Sequence, residues 1–213
     1  MSGMKKHIPW VLLLCLSAAV FAQGAVDSTD KEYQVKAAFL YNFIKFVDWP
    51  EEKFADVNEP IIIGIIGKDS FSDIFEALED KKIKNKMVIV QKFKGFEELK
   101  KDGQHAQAEL EAQIQRIRKC HLLFVCSSET NSEKDIINSV RGHNVLTVGE
   151  REDFMESGGI INFVVEEKKV RFEVNLDACE KEKLKISSQL LKLAKKVIKQ
   201  KQQPRRADKQ IQG

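Results

Sequence analysis

The sequence predicts an α/β fold: a three-layer α/β/α sandwich around a sheet of about six strands, mostly parallel, with an antiparallel hairpin near the C-terminus. Three observations carry this. Short β-branched or apolar runs (61–67, 87–93, 121–126, 144–148) alternate with segments of helical period. The last two runs, 160–165 and 169–176, are separated only by Glu166–Lys168, a hairpin spacing. Removing the leader described below leaves roughly 190 residues, which suits one domain and can bury a core without staples.

The elements follow in order. Thr29 and Glu32 fit a capping box, and the helix that follows is apolar on nearly every face from Val35 to Val47. Such a helix is either buried or an interface. It must end near Trp49, because Pro50 disfavours helical geometry in the residue before it. Ile61–Gly67 reads as a central strand. Ser70 caps a helix carrying Ile74, Phe75 and Leu78. Met87–Phe93 is a second strand, and Phe96–Lys119 a helix in two pieces broken near Gly103. His121–Cys126 is a third strand, Glu133–Arg141 a helix and Asn144–Val148 a fourth strand. After the hairpin a last helix opens past Asp177 and Glu180 and restarts at Ser187 or Ser188. It buries Leu190, Leu191, Ala194, Val197 and Ile198. Beyond Gln200 the composition predicts a basic disordered tail over 201–213. No internal repeat interrupts the α/β domain, which spans 23–200.

The first residues read as an export signal. Lys5, Lys6 and His7 form a basic start, Trp10–Phe21 is an uncharged apolar run, and Val20 and Ala22 are small residues at a cleavage site. Residues 1–22 are therefore expected to be removed in the periplasm. No later segment is long and apolar enough to span a bilayer, so the mature chain has no expected transmembrane span. Net charge is only +3 and names no partner. Lys and Arg concentrate after Lys181, where a solvated helix face and tail is the reading preferred over a nucleic-acid or membrane site.

The search for chemistry excludes more than it finds. Gly64-Ile-Ile-Gly67-Lys68-Asp69-Ser70 has the wrong spacing for a phosphate loop, with Ile62 and Asp69 where Gly and Ser or Thr are needed. His105, His121 and His143 are scattered and lack metal-ligand spacing. There is no nucleophile elbow and no diagnostic carboxylate pair, so no catalytic residue, metal site or cofactor is expected. Cys120 and Cys126 bracket a strand and would stand roughly 20 Å apart, beyond disulfide reach. Either one pairs with Cys179, or all three are buried thiols. Gly158-Gly159 is the most site-like local feature, since adjacent glycines permit positive φ and close approach.

Tyr33–Pro50, Gly158–Val165, Val170–Leu176 and Leu184–Ala194 resemble the YfiR-like family of exported bacterial proteins, over about residues 31–199. The resemblance implies a periplasmic α/β sandwich with no catalytic residues attached to it. It also implies a regulatory role: the family's namesake restrains an inner-membrane diguanylate cyclase by binding its periplasmic sensor domain, with redox state and disulfides as an influence. Related domains are fused to sensor kinases. The expected function is thus non-enzymatic restraint of a membrane-bound cyclase or kinase, with a periplasmic small-molecule receptor as the alternative. A homodimer is a further candidate assembly, and nucleic acid is not an expected partner. Interfaces concentrate their energy in aromatic, large apolar and Arg anchors. The candidate surface is therefore Phe154, Gly158, Gly159, Ile160 and Arg171, with Glu173 as a polar neighbour.

Overall fold

The computed structural model describes residues 28–199, apart from 55, 57, 69–73, 76, 80, 102, 104 and 105. The expected signal peptide, the expected tail, His105 and the Ser70 cap lie outside the described residues.

The chain opens with helix α1 (Ser28–Phe46), followed by the two-residue β1 (Val47–Asp48). Then come β2 (Ile61–Ile66), β3 (Lys82–Ile83) and β4 (Lys86–Phe93), the last two joined through Lys84 and Asn85 at φ 51° and 65°. Helices α2 (Phe96–Leu99) and α3 (Ala106–Ile117) flank Gly103, whose φ of 76° breaks the helical segment where the sequence predicts. Next are β5 (Leu122–Val125), α4 (Glu133–Val140) and β6 (Leu146–Gly149). The hairpin is β7 (Ile161–Glu166) and β8 (Lys169–Asn175), turned by Glu167 and Lys168 at φ 49° and 62°. Positive φ at both central residues matches the right-handed twist of the flanking strands. Last come α5 (Leu176–Lys181), β9 (Lys185–Ile186), α6 (Ser188–Leu191) and β10 (Lys196–Ile198).

The main sheet has the order β10-β8-β7-β6-β5-β2-β4-β3, parallel except at the β7–β8 and β3–β4 pairs. Strands β1 and β9 form a separate antiparallel pair. Period-two alternation sends Ile61, Ile63, Ile65, Leu122 and Phe124 into one core with α1, α5 and α6. Ile66, Leu123 and Val125 enter a second core with α2, α3 and α4. These are the three predicted layers.

Two expectations are corrected. The main sheet has eight strands rather than six. One of the extra strands lies where the last helix was expected: α6 stops at Leu191, and β-branched Val197 and Ile198 pair with β8, entered by a hydrogen bond from Lys195 N to Phe172 O. The open edge of β8 offers unpaired backbone groups, and satisfying them outweighs the helical period of a Lys-rich segment. The other is β3, a two-residue strand too short to show periodicity. No helix among the described residues is long and apolar enough to cross a membrane.

Candidate functional site

The Gly158–Gly159 corner is built around an aromatic ring. Phe154 is fully buried, and its ring lies against two glycines: a Cβ on Gly159 would stand 2.1 Å from Cε1, and one on Gly149 2.2 Å from Cδ2. Gly159 N also donates to Phe154 O at 2.9 Å. Gly158 has φ 98°, the left-handed region that glycine enters without strain. Ile160 is 1% exposed, with its N–H donating to Thr147 Oγ1 at 3.2 Å. Phe154 and Ile160 are therefore corrected from surface anchors to core residues. Sequence shows that they are large and apolar, but not which way a loop turns them.

The other candidates lie on the hairpin. Arg171 is exposed opposite Val164, and half-buried Glu173 stands between Asn162 and Lys196 in the strand register. Arg171 borders a groove of about 790 Å³ between α1 and the hairpin tip. The floor is apolar: Val35 and Val165 are 43% and 53% exposed, beside half-buried Phe39 and Val170. Lys31, Lys168 and Lys169 complete the rim. Pairing of Val165 with Val170 aims both toward α1. Sequence reasoning named Val35 within a helix read as buried or an interface, but it did not single out Val35, Val165 or the two hairpin lysines as site residues.

A second cleft, of about 620 Å³, lies between α4, the Met155–Ile160 loop and α5. It is lined by Gly158 and Ile160 together with charged Arg141, Asp177 and Lys181.

The carboxyl ends of the parallel strands carry a buried ion-paired clasp. β4 and β5 leave β2 in opposite directions, so the switch point of this doubly wound sheet lies between β2 and β5. Beside it, across the ends of β5 and β6, Glu150 accepts hydrogen bonds from Ser127 N (2.8 Å), Tyr33 OH (3.1 Å) and Lys36 Nζ (2.7 Å). The Lys36 and Glu150 side chains are each 5% exposed, and Lys36 also meets Glu32 one helical turn back. Burial, and then the negative Glu150, push the Tyr33 hydroxyl pKa well above the phenol range, so it stays a donor. The first residues of α1 are thus tied to the carboxyl ends of β5 and β6.

Cys120, Cys126 and Cys179 are buried thiols that form no disulfide with one another. Cys120 belongs to one core and the other two to the opposite one. Burial raises the pKa of both Cys120 and Cys179 to about 12, so neither forms a reactive thiolate near neutrality. His121 is fully buried at the other end of the sheet. Its Nδ1 accepts from Ile62 N at 3.1 Å, and Phe54 stacks on its ring at 4.6 Å. Burial, with Lys53 and Lys86 nearby, pushes its pKa down to about 3, so the ring is neutral. No group of three or more His, Cys, Asp or Glu among the described residues could hold a metal ion.

Comparison with known proteins adds to this geometry. The chain is similar in fold to a conserved domain protein from Vibrio cholerae O1 biovar El Tor, with TM-score 0.52 and 9% identity, covering 78% of this chain and 60% of that one. A weaker likeness, TM-score 0.45 and 12% identity, covers 65% of this chain and 55% of an ABC domain from Streptococcus pneumoniae solved with L-Trp. The chain thus spans no more than about three fifths of either protein. No curated protein gives a significant match. A YfiR/HmsC-like family model matches residues 33–195, from the Glu150 clasp of α1 to the approach of β10, and the chain belongs to that family.

Proposed function

We propose that this protein is a periplasmic regulator without catalysis of its own, which binds the sensor domain of a membrane-bound signalling enzyme, a diguanylate cyclase or sensor kinase, and holds it in its off state. The observation that carries the reading is membership of the YfiR/HmsC-like family over residues 33–195. The export pattern of residues 1–22 supports the location. The exposed groove between α1 and the hairpin supports a binding role, since an apolar floor with a charged rim is the anatomy of a protein interface. The test is deletion of the gene, followed by measurement of cellular cyclic di-GMP and of histidine-kinase output. A rise in either, reversed by the wild-type gene, supports the reading, and no change in both overturns it.

The second reading is a small-molecule receptor. The cleft of about 620 Å³ beside Gly158 supports it, because Arg141, Asp177 and Lys181 could orient a polar ligand there. A thermal shift of the purified protein with amino acids and small anions, lost in Arg141→Ala, tests it.

A further inference from the structure

We infer that the groove between α1 and the hairpin receives an acidic amphipathic helix of the partner; this rests on the regulatory reading above. The charges on the groove are one-sided. Lys31, Lys168, Lys169 and Arg171 border it, and none of them pairs with a carboxylate among the described residues. The single carboxylate on the lining, Glu32, is held by Lys36. At the turn, Glu166 stands opposite Lys169 in the register but its carboxylate is held by Lys195, and exposed Glu167 is the one other acid there. Four cations around exposed Val35 and Val165 therefore call for an occupant with an apolar stripe flanked by Asp or Glu.

The backbone decides between a strand and a helix as that occupant. Strand addition requires a free strand edge. β6 pairs only with Ile161 and Asn162 of β7, and β10 only with Glu173–Asn175 of β8, so both edges are free at the tip; a strand added there would lie in the plane of the sheet, whereas the groove floor is the face that Val165 and Val170 turn toward α1. The other wall is α1, whose backbone groups are used within the helix. What remains is side-chain recognition along a trough, which a helix satisfies with apolar residues at i, i+3 or i+4, and i+7. A bilayer surface fits less well, because the apolar residues line a concavity.

The test places the photocrosslinker p-benzoylphenylalanine at Val165 in the full chain in living cells, with Met87 on β4, 37% exposed, as the control position. Cross-linked peptides are sequenced by mass spectrometry, and a synthetic peptide of the captured segment is titrated against the purified protein. The expected adduct from Val165 maps to another protein's segment that reads as a helix with an apolar stripe and flanking acids. Lys168→Glu/Lys169→Glu/Arg171→Glu, with an unchanged thermal midpoint, should weaken the peptide about tenfold or more, and added salt should weaken the wild-type complex. An adduct to a second copy, to lipid or to a segment without acids overturns the inference. So does the absence of any adduct at Val165, or a triple variant that binds as wild type does. If gene deletion still raises the signalling output in those cases, the regulatory reading stands and only the groove is wrong.

Discussion

Gly159→Ala should destabilise this protein although alanine is the smallest possible addition. An added Cβ would stand 2.1 Å and 2.2 Å from two carbons of the Phe154 ring, where carbon pairs normally rest at about 3.5–4.0 Å. The ring must retreat by roughly 1.5 Å to restore that spacing. It has nowhere to go, because its far side lies as close to Gly149. Overpacking typically costs 1–3 kcal/mol, and a clamped ring belongs at the upper end, about 3 kcal/mol. For a domain of this size that lowers the midpoint of thermal unfolding by about 6–12 °C. Phe154→Ala leaves a cavity and should cost about 3–5 kcal/mol. The two are coupled: with the ring gone, the methyl added by Gly159→Ala no longer meets it and partly fills the hole. The double variant should therefore be no less stable than Phe154→Ala alone, a departure from additivity of about 2–3 kcal/mol. Urea unfolding of the four proteins, with equal m-values required, measures this. Additive effects, or a neutral Gly159→Ala, would refute the claim that Gly159 exists to admit the ring. The same reasoning disqualifies Phe154→Ala as a probe of partner binding, since loss of fold would release a partner without any lost contact.

Four further outcomes are expected. Lys36→Met strands the buried Glu150 carboxylate and should cost about 3–5 kcal/mol in urea unfolding, with most of it restored by Lys36→Met/Glu150→Met; a loss under about 1 kcal/mol would show that the clasp is solvated. His121 is neutral when folded but takes up a proton near pH 6.5 when unfolded, so its contribution is complete above that pH and is lost as pH falls toward about 3, at up to about 1.4 kcal/mol per pH unit. Burial raises the Glu129 and Glu133 carboxyls, which acts in the opposite direction in both proteins compared, so the His121→Gln variant should show a flatter fall between pH 7 and 4.5, and an equal slope refutes the assignment. Iodoacetamide at neutral pH should leave all three thiols unlabelled in folded protein and label all of them in urea, whereas rapid native labelling would contradict their burial. Mass spectrometry of a periplasmic extract should find an N-terminus near Gln23, and intact Met1 in membranes would argue for an uncleaved anchor.

The layers and strands were legible because burial writes itself into sequence. Ile61–Ile66 is buried on both faces and reads as an unbroken β-branched run, while Val170–Val174 is buried on one face and alternates. Gly103 and the Glu166–Lys168 turn mark breaks that local chemistry alone dictates. β10 was not legible, because it depends on a partner rather than on its own pattern. Ser188–Ile198 carries apolar residues at helical spacing, and only the open edge of β8, supplied by residues about twenty positions earlier, turns its end into a strand.

The orientation of Phe154 and Ile160 was not legible in the sequence for a related reason. Phe154, Ile160 and Arg171 share the composition of a binding surface, and composition cannot separate a ring that faces a partner from one that fills the gap beside two glycines. Exposure is decided by pairing. Val165 and Val170 sit opposite each other on the face toward α1, yet Val165 at the strand end extends past the helix and is half uncovered. The apolar character of α1 on nearly every face was the usable signal. Its inward residues Leu40, Phe43 and Ile44 are fully buried, while Val35, next to Lys36 in the chain but turned to another face of the helix, stays exposed. The same first turns of α1 therefore do two things at once. Tyr33 and Lys36 tie the helix to the end of β6 by holding Glu150, and Val35 and Phe39 form one wall of the groove beside the hairpin.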